Sequence, residues 1–276
     1  MRVYDIDAKL KDYRYLDWTE SGISSGTSGS LLKTKEQKNG KTYFYKLSSY
    51  DPYRGVFGSE SVNELVACRL LNLLGIEHLQ YKLIHALVDI RGEEYETWLV
   101  RSVNFREIDE RKIALDTYYD MNRFPKEDPL AFCRRMGWEK YIYKMFLADF
   151  LIANRDRHGA NLEVLGGKHG ELRLAPLFDN GLSFLAPLAG DEQRIKDFEP
   201  LSDVRSNNFI GTGSLKKNLE MIGEFPDVDP VFDNSREELF AGLDKVLPEY
   251  HLDKMWQIII ERWRYYENFC DQKSKT

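Results

Sequence analysis

The chain is poor in residues that cross-link or bind metals. Its three cysteines among 276 residues, Cys68, Cys133 and Cys270, are far apart, odd in number and form no C-x-x-C pair. That excludes a disulfide framework and a cysteine zinc site, and leaves them as small buried hydrophobes in a reducing compartment. Five histidines are similarly sparse, and His158 has no second histidine at ligand spacing; His169 follows a Gly-Gly pair. No window holds 18 uninterrupted apolar residues, and "MRVYDIDAKL" lacks the apolar centre of a secretory signal, so a soluble, cytoplasmic protein without membrane contact is expected. Net charge is −6, with 39 basic residues interspersed among 45 acids. No nucleic-acid footprint stands out, and direct nucleic-acid binding is not expected. There is no internal repeat, and only the Ser/Gly cluster at 21–30 approaches low complexity.

What the chain does have is 42% hydrophobic residues, enough for one large core or two modest lobes. The first hundred residues read mainly as strands: "YRYLDW", "TYFYKLS", "HLQYKLIHALVDI" and "YETWLV" are rich in aromatic and β-branched residues. One helix interrupts them at "SESVNELVACRLLNLLG", with a serine cap, apolar residues at Val62, Leu65, Val66, Leu70 and Leu73, and a stop at Gly75. Beyond Asn104 the pattern turns helical. "GWEKYIYKMFLADFLIA" is apolar nearly all round, "LEVLGGKHGELRLAPL" reads as two short strands about a turn, and "SREELFAGLDKVL" and "HLDKMWQIIIERWRYYENFC" read as closing helices. The expectation is an α+β, bilobal molecule: a β-rich lobe over 1–104, a mostly helical lobe over 105–276, and a cleft between them.

Within 147–165, "LADFLIANRDRHGANLEVL", an apolar run stops at Ala153 and six polar residues follow within eight positions. Unpaired polar groups cost roughly 1–3 kcal/mol each when buried, so this loop lies in water or holds a ligand. Further on, "APLFDNG" places Asp179 at the end of a strand. An Asp and an Asn on one loop with a second Asp from a neighbouring strand is the set that phosphoryl transfer from ATP uses. One carboxylate orients the attacking hydroxyl, while the amide and the other carboxylate hold Mg2+ against the phosphates.

"NRDRHGAN" at 154–161 resembles the protein-kinase catalytic loop H-R-D-x-x-x-x-N with Asn154 in place of histidine, and "DNG" at 179–181 resembles D-F-G. "DRHGAN" is also similar to the D-R-H-x-x-N of phosphatidylinositol kinases and the D-x-H-x-x-N of HipA-like kinases. With "SGTSGSLLK", "YFYKLS" and "VNELVACRLLNLLGI", the chain most resembles the HipA-like family, a bacterial family that includes toxin kinases, over most of 20–220. The resemblance implies a protein-kinase-like fold and serine/threonine kinase activity. It makes Asp156 the catalytic carboxylate, His158 a supporting residue of its loop, and Asn161 and Asp179 the Mg2+ ligands. Arg155 and Arg157 anchor the loop, meet phosphate or are plain surface charge. The D-F-G phenylalanine and an A-P-E sequence are missing, which argues against activation-segment control of the eukaryotic type. The chain is expected to lack the extra N-terminal subdomain of larger HipA-like toxins.

The front half then binds the nucleotide. In "SGISSGTSGS", Ser25, Gly26, Thr27, Ser28 and Gly29 would cradle phosphates through backbone N–H groups. Ser24, Ser25, Thr27 and Ser28 are candidates for autophosphorylation, with loss of nucleotide affinity as the result. Lys46 is read either as a solvated strand lysine or as the lysine on the α- and β-phosphates. Glu64, at the margin of the helix's buried face, is its expected partner, and Glu60 is the alternative one turn away. The adenine contact is placed at Arg101, Ser102 and Val103, where the strand ends. ATP, Mg2+, a protein substrate with a serine or threonine hydroxyl and an antitoxin-like regulator are the expected ligands and partners. A lipid or small-molecule phosphotransferase of the same fold and a nucleotide-binding interaction module are the other readings.

Overall fold

Side chains alternate across a β-strand, and in residues 41–47 and 81–103 that alternation faces two different cores. The computed structural model describes residues 5–18, 31–107, 109–168, 170–188 and 190–275. Its strands β1 (Ile6–Asp12), β2 (Lys33–Lys38), β3 (Lys41–Leu47), β4 (Ser49–Asp51) and β5 (Gly55–Phe57) precede helix α1 (Glu60–Leu73), and β6 (Tyr81–Ile90) and β7 (Glu93–Val103) follow it. Five of these form one sheet in the order β1-β6-β7-β3-β2, antiparallel except for the parallel pair β1 and β6. On one face Tyr45, Leu47, Ala86, Val88 and Leu99 close over Leu16, Trp18 and Leu32. On the other face Leu83 and Val100 meet α1, which belongs to the larger core shared with the C-terminal helices.

Helix α1 begins after Ser59, whose side chain makes no capping hydrogen bond, and the chain leaves it at Gly75 with φ +65°, a conformation glycine adopts without strain. Every residue from Glu60 to Leu71 is buried. Glu64, expected at the margin of the buried face, is instead fully enclosed, because the sheet covers one side of α1 and residues 179–183 the other.

The rest is built from β8 (Arg111–Ala114), α2 (Leu115–Asn122), α3 (Pro129–Arg135), α4 (Glu139–Leu151), β9 (Asp156–Arg157), β10 (Glu163–Gly166), β11 (Leu172–Leu174), α5 (Glu192–Lys196), β12 (Asn207–Asn208), α6 (Leu215–Glu220), α7 (Ser235–Phe240) and α8 (Glu249–Lys273). Strand β10 pairs with β8 and β11, and β12 runs parallel to β9. Helix α4 is sequestered from Ile142 to Leu151 except at Lys144, as its near-continuous apolar sequence requires. Cys68 and Cys133 are buried and Cys270 is half-buried. Among the described residues no helix is long and apolar enough to cross a membrane.

One expectation about local structure changes, and one strand appears that hydrophobic patterning does not show. Residues 13–18 form a turn and not a strand, with Leu16 N donating to Tyr13 O at 3.1 Å. Their apolar residues plug the small core, and the strand lies earlier, at β1. Strand β2, "KTKEQK", has no hydrophobic alternation because it is a sheet edge. Its hydrogen bonds to β3 define it.

Candidate active site

Strand β3 turns Lys46 away from the small core, toward α1. Its Nζ lies 2.9 Å from Glu64 Oε1 and also pairs with Asp179 Oδ1. Burial by itself would lower the lysine's affinity for its proton, but the Asp179 and Glu64 carboxylates hold it well above the ordinary value. Glu60, the alternative partner, is occupied elsewhere: its Oε1 accepts from Ser49 Oγ at 2.5 Å. Glu64 has a second role, since its Oε2 accepts from Asn180 N at 2.9 Å. Helix α1 is thereby tied to the loop that carries Asp179.

That loop is held on every side. Asp179 has φ +58°, a left-handed backbone costing roughly 1–3 kcal/mol for such a residue. Tyr81 Oη accepts from Asp179 N at 3.3 Å, and Asn63 Nδ2 donates to Gly181 O at 2.9 Å and Ser183 O at 3.1 Å. A Cβ on Gly181 would sit 3.3 Å from Glu60 Cβ and 3.4 Å from Glu64 Oε1, so a larger residue there would press the loop against α1. Burial opposes ionisation of Asp179, yet Lys46 and Lys33, the latter 3.8 Å from Oδ2, keep its carboxyl well below the usual range.

Residues 154–161 lie beside it. Arg157 has no solvent exposure and makes the central connection. It pairs with Asp149 of α4 at 2.7 Å and donates to Phe178 O and Asn180 Oδ1, both at 2.7 Å. Arg157 is therefore a loop anchor. Asn154 supports the same carboxylate, its Nδ2 donating to Asp149 Oδ1 at 2.8 Å while its Oδ1 accepts from Asp156 N at 3.2 Å. Asp156 Oδ1 accepts from Asn207 Nδ2 at 3.2 Å, and Oδ2 stands 3.6 Å from His158 Nε2. Burial raises the Asp156 carboxyl above its ordinary value. The charge of Asp179 adds to this, and His158 and Asn207 act against it. His158 Nδ1 accepts from Ala160 N at 3.1 Å, and Asn161 Nδ2 donates to Asp156 O at 3.0 Å.

Lys46, Asp179 and Asn161 line one cavity of about 630 Å³, with Ser102, Val103 and Phe178 further along it. Arg101 is not in that wall: alternation turns its side chain to the other face, 4.8 Å over the Tyr43 ring. Arg101 and Ser102 are paired on both sides, with β3 and with β6, whereas Val103 is paired only with Tyr43. Backbone groups free to meet a ligand therefore begin at Val103. Ser24, Ser25, Gly26, Thr27, Ser28, Gly29 and His169 lie outside the described residues.

Several contributors carry no motif. Lys33, Tyr81, Asn63 and Asn207 stand in ordinary sequence, and their partners are 98–146 or 51 positions away. Asp149 alone left a mark, as the single acid in the apolar run "MFLADFLIA". Asn161 and Asp179 present an oxygen donor set of one amide and one carboxylate. Among the described residues no group of three His, Cys, Asp or Glu could hold a metal. This donor set fits Mg2+, which takes one or two carboxylates and completes its shell with phosphate and water.

No protein-family model matches the chain. A serine/threonine-protein kinase, CtkA of Helicobacter pylori, is 25% identical over 207 residues, which are 71% of this chain and 62% of that protein. The chain thus spans less than two thirds of this relative's length. The crystal structure of the H. pylori proinflammatory kinase CtkA superimposes with a TM-score of 0.55 at 17% identity, over 92% of this chain and 94% of that one. A chain of the Shewanella oneidensis HipA, HipB and operator DNA complex aligns over 88% of this chain and 58% of its own at 14% identity. Its TM-score of 0.37 is too low to bear on this protein. The sequence relationship is thus to a serine/threonine-protein kinase, and the shared fold is that of the CtkA kinase.

Proposed function

We propose that the protein is an ATP-dependent serine/threonine protein kinase that uses Mg2+. The observation that carries this reading is the placement of Lys46 Nζ between Glu64 and Asp179 at a cavity that Asn161 also lines. Lys46 binds the α- and β-phosphates, Glu64 holds the ammonium in place, and Asn161 and Asp179 hold the metal. When bound, Mg2+ neutralises charge on the β- and γ-phosphates. Asn207 orients Asp156 through Oδ1, leaving Oδ2 to accept the proton of the attacking hydroxyl as the γ-phosphoryl group passes to oxygen and ADP departs. His158 steadies the loop through Ala160 N. The adenine edge meets backbone groups from Val103 onward. Incubation with radiolabelled ATP, Mg2+ and a protein acceptor tests the reading. Label should appear on serine or threonine, and transfer to lipid or small-molecule alcohols alone would replace the protein-kinase assignment.

A further inference from the structure

Glu163 stands in the wall of the nucleotide cavity and takes no part in the chemistry proposed above. It opens β10 two residues beyond Asn161 and faces Ala114 of β8 in the ladder, so alternation puts its side chain on the same face as Lys112, which also lines the cavity. The Glu163 side chain is 10% exposed and that of Lys112 is 50% exposed, and Oε1 pairs with Lys112 Nζ. Oε2 is sealed from solvent and has no partner among the described residues. A carboxylate offers about four lone-pair positions, and a strap between β8 and β10 uses one of them. Leaving the rest unmet on a buried acid is unfavourable. The terminal torsion of a glutamate is broad and roughly two-fold, so rotation about it brings either oxygen to a donor in the cavity.

Position along the cavity identifies the donor. Lys46, Asp179 and Asn161 mark the end that suits phosphates and metal. Val103, Phe105 and Phe178 make the other end apolar, the two rings stacked with centroids 5.9 Å apart, and that end suits a base. Chain length keeps the Cα atoms of Glu163 and Asn161 within roughly 7 Å of each other, which places the carboxylate beside the phosphate end and below the apolar one. In a nucleoside triphosphate the sugar joins base to phosphates, and it presents two neighbouring hydroxyl donors there. An acid facing so anionic a ligand would repel it were its charge not balanced, and Lys112 supplies the balance.

We infer, on the ATP reading of this cavity, that Glu163 is its sugar-specificity residue: the carboxylate accepts a hydrogen bond from a ribose hydroxyl of the bound nucleotide, and Lys112 neutralises it against the phosphates. The test is calorimetric titration of the full chain with ATP, 2′-deoxy-ATP, 3′-deoxy-ATP and inosine triphosphate in Mg2+, for the natural protein, Glu163→Leu and Lys112→Met. The natural protein should bind ATP about tenfold or more tightly than at least one deoxy analogue, the scale of one hydrogen bond to a charged group. In Glu163→Leu that ratio should fall to about twofold or less. Lys112→Met should weaken ATP and both deoxy analogues by a similar factor, as loss of a neutralising charge requires. Equal binding of ATP and both deoxy analogues by the natural protein overturns the contact without recourse to any variant. A sugar ratio that survives in Glu163→Leu overturns it as well, and a lowered melting temperature beside that surviving ratio leaves Glu163 as a strap between β8 and β10. Loss in Glu163→Leu of the preference for ATP over inosine triphosphate, with the sugar ratio intact, assigns the carboxylate to the base and also overturns it. ATP binding by none of the three proteins overturns the kinase reading itself and the sugar contact with it, whereas ATP binding without sugar discrimination overturns the sugar contact alone.

Discussion

Arg157 and Asp149 form an ion pair in which neither partner reaches solvent, with Nη2 to Oδ1 at 2.7 Å and Nε within 3.2 Å of both oxygens. The remaining donors of the guanidinium hold Phe178 O and Asn180 Oδ1, so one side chain sets the spacing between the loops of Asp156 and Asp179. Removing either partner strands the other as a buried charge, at about 3–5 kcal/mol. Asp149→Ala and Arg157→Ala should each lower the urea midpoint by a corresponding amount. Arg157→Lys should recover little, because a point ammonium cannot reproduce the planar fork.

Lys46 neutralises two carboxylates at once. Lys46→Met should weaken ATP binding about tenfold to a hundredfold, the scale of one or two charged hydrogen bonds. It should also destabilise the nucleotide-free protein by leaving Glu64 and Asp179 unpaired. Adding Glu64→Gln should restore part of that stability and none of the affinity, measurable by calorimetry and melting of the two variants.

Asp156→Ala should cut phosphate transfer about 10²–10⁴-fold and leave ATP binding intact. Asn207→Ala acts only through the orientation of Asp156 Oδ1, so it should reduce kcat with little change in the KM for ATP. Steady-state kinetics on both variants separate the two roles. Equal loss of ATP affinity in either one would contradict this assignment.

Acid stability should depend on His251. Burial lowers its pKa from 6.5 to about 4, and its Nε2 has no partner. The folded state holds the ring neutral while the unfolded chain takes up a proton. The stability is therefore complete above pH 6.5 and is lost as pH falls toward 4, to a total of about 3 kcal/mol. In His251→Leu this part of the pH dependence of the denaturant midpoint should vanish.

Much of this was legible before any coordinates. Lys46 on its strand, the helix of Glu64 and the loop of Asp156 and Asn161 stand in local patterns that hydrophobic periodicity or a short motif exposes, whereas Asp179, expected at a strand end, lies in a loop five residues beyond Leu174, where β11 stops. Less legible was where backbone stays open at the end of β7: ladder pairing occupies Arg101 and Ser102 on both sides and leaves Val103 paired only with Tyr43.

By itself the sequence determined where most helices and the central strands run and which loops carry the acidic and amide groups, because periodicity and turn chemistry are properties of neighbouring residues. Tertiary structure decided which groups meet. It chose Glu64 over Glu60 for Lys46, buried Arg157 against Asp149, brought Asn207 to Asp156 across 51 positions and left Arg155 without a partner. The reason is physical: a buried charge is tolerated only where distant segments converge on it, and that convergence is set by packing around α1 and α4, not by spacing along the chain.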